Sequence, residues 1–458
     1  MAYLHGLRRV VLSLVGALVL LGGCSPAQTE AVRKDSANTA SAPSPPDLSA
    51  GNGGTAVAAD VSAEGVEETD AATLALFRRL HQGDPISDAE AKHFGEQIEA
   101  NVASGDLRAT EALFSTSVYH EAIVDTLPNK TAAGRKQRKE VEQGSAKAVE
   151  QIVQDLITQG AQGGSYTFLS VRDRPEGKCV LMRLLPPTGG LNYQDLILVR
   201  RRGKLQVADI YVLVAGERLS QTIGRMTTIV MQQDDVGWLE RLSGKERRWH
   251  ENGEKVSEMT AAMRAQDYAR VLGVYQSLPK ELQEEKSALL IRVMAAQHLG
   301  DAEYLAASEE FRRLFPKDAS LDLLLVDGHL LRQDFAAAHA AIDRIDQFVG
   351  GDDPHLDILR GNVHLLAGDV DAARRIADAQ LKQYPNQIDL YWLLVSISLK
   401  TEDYRATSRF LTEIRDKFQF EIGDLTSVPD YAGYVKSPEY AKWKAQIAAP
   451  PTADLDGC

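Results

Sequence analysis

Cysteine is scarce in this sequence: Cys24, Cys179 and Cys458 are the three among 458 residues. No CxxC pair and no Cys/His spacing suited to a metal is present, which excludes the common zinc-binding arrangements. Catalytic signatures are missing as well. There is no GxSxG, no P-loop, no GxGxxG after a strand and no HExxH; these are the spacings that build a nucleophile elbow, a phosphate cradle, a dinucleotide site or a zinc-bound water. His120-Glu121 and His250-Glu251 are isolated dipeptides without a second ligand at helical spacing. No catalytic residue, no metal site and no cofactor is therefore expected. Positive charge is in deficit: the formal net charge is −13. Removing residues 1–23, which carry Arg8 and Arg9 and no acid, takes it near −15. A chain of that sign lacks the basic footprint that nucleic acid or an anionic membrane surface requires. Beyond residue 23 no apolar run reaches the roughly 20 residues that span a bilayer.

What is present begins at the N-terminus. Arg8 and Arg9 form a positive leader, followed by the apolar VVLSLVGALVLL of residues 10–21. A run of about a dozen residues is too short to span a bilayer but suits the core of a cleaved export signal. It ends in Leu21, Gly22, Gly23 and Cys24, and this segment resembles the bacterial lipobox. The resemblance implies cleavage before Cys24, lipidation of its thiol, and attachment of the chain to a bilayer through an N-terminal acyl anchor. Ser25 in place of Asp favours the outer over the inner membrane by the enterobacterial sorting rule, with the body of the chain facing the periplasm. In that oxidising compartment Cys179 and Cys458 either pair or remain a buried thiol and a tail thiol.

Residues 24–65 (SANTASAPSPPDLSAGNGGTAVAAD at their centre) have no apolar period and read as a disordered tether. From 66 to 232 the expectation is an α+β domain. Leu74, Leu76, Phe77 and Leu80 form a helical stripe, and Ser87 with Glu90 makes a capping box before a helix over 88–104. Residues 128–144 are polar and basic, and a helix follows over 145–158. The period then changes to that of strands: SYTFLSVR, KCVLMRLL, QDLILVRR and KLQVADIYVLV, separated by turn residues, predict a four-stranded antiparallel sheet. The helical SGDLRATEALF (104–114) and the last strand GKLQVADIYVLVAGE (203–217) resemble the NTF2-like superfamily. That resemblance implies helices packed into a curved sheet, and makes Asp209 and Tyr211, which alternate onto one face, candidates for a polar pocket. A solvent-facing Asp beside a Tyr is the plainer reading. Two basic clusters, Arg135/Lys136/Arg138/Lys139 and Arg200/Arg201/Arg202, are candidate contacts for lipid head groups or an acidic partner, or simply solvated surface.

After a linker helix over 233–253, the second half repeats. Asp267, Asp301, Asp334, Asp369 and Asp403 recur at intervals of 34, 33, 35 and 34 residues, a period that marks stacked helical units. In ILRGNVHLLAGDVDAARRIADAQLKQYP (358–385), Gly361, the Gly368-Asp369 turn, Ala373 and Pro385 resemble the small, turn and closing positions of the tetratricopeptide (TPR) family. Met259, Val293, Val326 and Val395 depart from its usual small residue. The resemblance implies an all-α solenoid of about five helix pairs over 254–420, with a capping segment over 421–447 built on Tyr434, Tyr440 and Trp443, and a disordered tail over 448–458. Such arrays bind protein segments. The expected function is that of a non-enzymatic, membrane-anchored scaffold or adaptor whose partner is an envelope protein or peptide segment. The alternative is binding of a small apolar or cell-wall ligand, with or without weak turnover, inside the NTF2-like domain.

Overall fold

The structure, a computed structural model, describes residues 71–126, 135–187, 190–230, 244–316, 318, 320–351 and 353–448. The lipobox (Leu21, Gly22, Gly23, Cys24), the expected tether, Cys458 and all but one residue of the expected tail lie outside them, as do residues 233–243 of the expected linker helix.

The N-terminal region begins with α1 (Ala71–Leu80) and α2 (Asp88–Ser104). Ser87 caps α2 through the expected box: its hydroxyl accepts from the Glu90 amide, while the Glu90 carboxylate accepts from the Ser87 amide. Two short helices follow, α3 (Leu107–Ala112) and α4 (Thr116–Thr126), and then α5 (Arg135–Ala161). α5 begins ten residues before the expected 145; the polar RKQRKE stretch is helical, since Arg, Lys, Gln and Glu are good helix formers even without an apolar stripe.

The sheet has five antiparallel strands rather than four. β1 (Ser165–Arg174), β2 (Gly177–Leu185), β3 (Asn192–Arg201) and β4 (Lys204–Val212) meander in chain order, and the two-residue β5 (Glu217–Arg218) folds back on β4. Gly216, at φ +64°, makes that return possible; a side chain there would also run into Lys286. A fifth strand this short leaves no periodic pattern in the sequence.

Register fixes which residues share a face. Val180, Leu196 and Ile210 stand in one cross-strand row, with Met182, Leu184 and Leu198 on the same side. All six are at most 2% exposed, packed under Phe94 and Ile98 of α2 and Ile152 and Leu156 of α5. Gly95 lets α2 approach: a Cβ there would sit 2.3 Å from the Phe168 ring. The opposite face is charged, apart from a small apolar cluster where α1 covers Cys179, Ile197 and Val199. Cys179 is a free thiol, fully buried, and burial pushes it well above the usual thiol range.

After α6 (Leu219–Val230) and α7 (Gly244–Glu251) the elements among the described residues are all helices. Five consecutive helix pairs follow: α8 (Gly253–Arg264) with α9 (Tyr268–Ser277), then, past the one-turn α10 (Lys280–Gln283), α11 (Lys286–Leu299) with α12 (Asp301–Leu314). Next come α13 (Ser320–Leu331) with α14 (Phe335–Val349), α15 (Pro354–Leu366) with α16 (Val370–Gln383), and α17 (Ile388–Lys400) with α18 (Tyr404–Phe418). Short α19 (Ala432–Val435) and α20 (Pro438–Ala448) close the end, where Tyr434 and Trp443 are buried.

Two predictions test this packing. Glycine-to-alanine changes inside helices ordinarily add up to about 1 kcal/mol, and Gly144→Ala in α5, with open space around it, should do so. Gly95→Ala should instead lower stability by about 1–3 kcal/mol through the clash with Phe168; equal urea midpoints for the two variants would contradict the close approach of α2. The Cys179 peptide should resist maleimide in the folded chain and react only after denaturation, as read by mass spectrometry.

Candidate functional site

The charged face of the sheet is the feature that no local pattern announced. Successive cross-strand rows place Arg172 with Cys179, Ile197 and Asp209; Ser170 with Leu181, Asp195, Tyr211 and Arg218; and Arg183 with Tyr193. Asp195 and Asp209 are at most 1% exposed, Arg183 4% and Arg218 6%. Charges so deep must find partners.

They find them partly in the helix pairs. Asp353, just ahead of α15, takes three donors. Its Oδ1 accepts the His355 amide at 3.0 Å and caps the helix, the Arg183 guanidinium bonds the same oxygen, and the Tyr193 hydroxyl donates to Oδ2 at 2.6 Å. Burial and the neighbouring Asp353 carboxylate push Tyr193 well above the usual phenol range, so it remains a proton donor here. Arg172 donates to the Phe348 carbonyl at 2.6 Å, and both Arg172 and Arg174 lie over the Phe348 ring, 5.1 and 5.5 Å from its centre. Arg174 and Arg172 converge from the other side on Asp195 Oδ2. Further along, the β4–β5 turn at Gly216 abuts the Lys286–Asp318 ion pair. The sheet thus bears on the entry ends of α11, α13 and α15 in turn.

Asp209 and Tyr211 share a face, as alternation implied, and both are buried there. The Asp209 carboxylate accepts from the Ile210 and Ser220 amides and the Ser220 hydroxyl, with Arg218 Nε at 3.9 Å. Burial still pushes it above the usual carboxylate range, against those contacts. Tyr211 is 7% exposed beneath the Arg174 guanidinium. The other side of the sheet, facing α2 and α5, is filled by the six apolar residues named above.

Of the five repeat aspartates, four are N-caps: Asp267, Asp334, Asp369 and Asp403 each accept the amide three residues on, at 3.0–3.1 Å. Asp301 is the exception. Gly300 takes the cap position, and Asp301 opens α12 as its first residue. Gln266, Gln333 and Glu402, each before a capping Asp, are left-handed at φ +57°. Gly368 and Gly300 hold the same place in the other two units, also at positive φ.

The basic clusters divide. Arg200 bonds Glu90 at 2.7 Å and Arg201 bonds Glu121 at 3.1 Å, so neither is a spare cation. Arg135, Lys136, Arg138 and Lys139 fall in α5, in a stretch whose side chains lie outside the described set. Among the described residues no three His, Cys, Asp or Glu side chains gather as metal ligands, and no helix is long and apolar enough to cross a membrane.

This seam ties the sheet to the helix pairs through Arg183, Tyr193 and Asp353. Removing Asp353 leaves Arg183 buried without its anion, so Asp353→Ala should cost about 3–5 kcal/mol, read by chemical denaturation. The double variant Arg183→Met/Asp353→Leu should regain much of that loss, because both charges leave the interior together; a double variant as unstable as the single one would deny the pairing. Comparison of the chain with protein-family models, with curated proteins and with solved structures finds no match, so the functional reading rests on these residues alone.

Proposed function

We propose that this chain is a lipid-anchored envelope protein, a non-enzymatic scaffold whose TPR-like helix pairs dock another protein or peptide segment. The observation that carries the reading is the run of five helix pairs at a 33–35-residue spacing, four of them turned by an aspartate cap. Stacked units of that kind build extended recognition surfaces. The lipobox at Leu21–Gly22–Gly23–Cys24 supports anchoring at a bilayer, the outer membrane by the Ser25 rule, with the described body on the periplasmic side. The sheet-bearing region, with helices packed on one face, is consistent with the NTF2-like resemblance. Its part in this reading is to brace the helix pairs through Asp353 rather than to bind a small ligand.

Two measurements test it. Cys24→Ser should move the protein from the membrane to the soluble fraction and abolish labelling by a palmitate analogue; a variant still membrane-bound would remove the anchor. In-cell cross-linking of the full-length chain with residue-level mapping should recover one envelope protein joined to positions within 254–420. Partner cross-links confined to 71–230 would move the docking role to the sheet. Mapping is preferable to deleting the array, since deletion would strip Asp353 from Arg183 and unbalance the sheet.

A further inference from the structure

The helix pairs share a spacing but not a core. One buried cluster joins the sheet to α8–α14 and to Leu356, Leu359 and Val363 of α15. A second joins Ile358 and Leu365 of that helix to α16, α17 and α18 and to the closing helices as far as Trp443. Residues 356, 359 and 363 recur at helical spacing on one side of α15, and 358, 361 and 365 on the other. One helix therefore carries two apolar stripes that belong to different cores.

The polar contacts of α15 lean towards the first core. Asp353, at its entry, takes Arg183 and Tyr193 from the sheet. Arg360 donates to Asp343 and Asp346 of α14 at 2.9 and 2.7 Å, and the His364 ring rests 4.4 Å from that of His339. Towards the second core, Asp357 accepts from Gln380 of α16. His355 stands 3.6 Å from Asp389 of α17. Burial raises the Asp389 carboxylate, but His355 and the field of Arg183 hold it below its usual range. With the two side chains 19% and 37% exposed, that pair is a weak clasp. Gly361, between Ile358 and Leu365, lets α17 close in; a Cβ there would lie 2.7 Å from Leu393.

We propose that α15 is a joint between two cooperative bodies: α16–α20 open from it as one unit while the sheet, α8–α14 and α15 itself stay closed. Opening at the joint uncovers one stripe of α15 and releases the Gln380 and His355 contacts. Opening inside either body would instead break a continuous core, where close-packed neighbours are lost on several sides at once. α15 stays with the sheet because its departure would leave Arg183 buried without its anion. In a uniform array each unit contacts only its neighbours and no boundary is singled out. Here the sheet singles one out, by fixing α15 and the pairs before it. The inference goes beyond the adaptor reading and holds whether or not a partner docks on either body.

The test is amide hydrogen exchange of the purified full-length chain, read by mass spectrometry at rising sub-denaturing urea. The slowest amides of α16, α17, α18 and α20 should converge on one opening free energy. It should lie below a second value shared by β2, β3, α11, α13 and α15. Two conservative variants probe the bodies separately, each removing one methylene from a fully buried side chain and keeping the fold. Ile414→Val in α18 should speed exchange about fivefold through α16–α20 alike and leave the first body unchanged. Ile342→Val in α14 should speed the first body and leave α16–α20 unchanged. A single opening free energy for the whole chain overturns the proposal, and so does either variant acting equally on both bodies. Exchange of α16–α20 helix by helix, or grouping of α15 with α16 rather than with the sheet, overturns it as well.

Discussion

The rest of this architecture depends on the carboxylate of Asp353. It takes donors from three directions: its own helix, a strand guanidinium and a strand phenol. Those partners are 160 and 170 residues away in sequence on the strand side and two residues away on the helix side. A local event, the start of α15, is thereby tied to a distant one, the docking of the sheet. Buried ion pairs seldom add net stability over apolar residues of the same shape, because desolvating both charges offsets most of their attraction. What they supply is selectivity among packings: a sheet displaced by one residue would bury Arg183 against no anion, at a cost of several kcal/mol.

The two faces of the sheet follow from this constraint. An antiparallel sheet usually exposes one face to water and alternates polar with apolar along each strand. Here β2 and β3 are buried at almost every position, yet one face is apolar and the other charged. The apolar face meets helices by ordinary side-chain packing. The charged face meets α1 at one end and the helix pairs at the other, and its middle is filled by mutually neutralising groups: Arg172, Arg174 and Asp195, then Asp209 with Arg218. The second face, though covered, keeps charged residues in the strands because polar contacts cover much of it.

That explains which parts could be read from the sequence. The strands showed as period-two stretches, the α2 capping box as Ser87 and Glu90, and the helix pairs through their aspartates, because each is a local arrangement with a fixed spacing. The start of α5 did not show, since its first residues have helix propensity but no apolar stripe, and β5 is too short to have a period. Asp209 and Tyr211 were visible as a polar pair on one face, but alternation alone cannot say which covering layer that face meets. Arg200 and Arg201 looked like free cations because their partners, Glu90 and Glu121, lie on other elements. Asp353 was invisible for the same reason: as a helix cap it resembles any Asp before a Pro, and nothing near it in sequence points to Arg183. The left-handed Gln and Glu before the turn aspartates left no sign in the sequence, since each is held by a bond from the following Asp amide back to the preceding helix.

Helical repeats ordinarily gain stability from nearest neighbours, each unit adding its own increment and one interface. This array departs from that rule at one point. The sheet attaches at the entries of three successive pairs and draws the first three pairs and part of α15 into a single buried cluster with itself, whereas α16 shares a second cluster with the fifth pair. The boundary that matters physically therefore lies inside the repeats, near α15, rather than at the change from strands to helices. A repeat beyond such a boundary keeps the shape of its neighbours while its inward residues are released from covering duty, and a half-exposed tryptophan beside an exposed phenylalanine is what that release leaves on the surface.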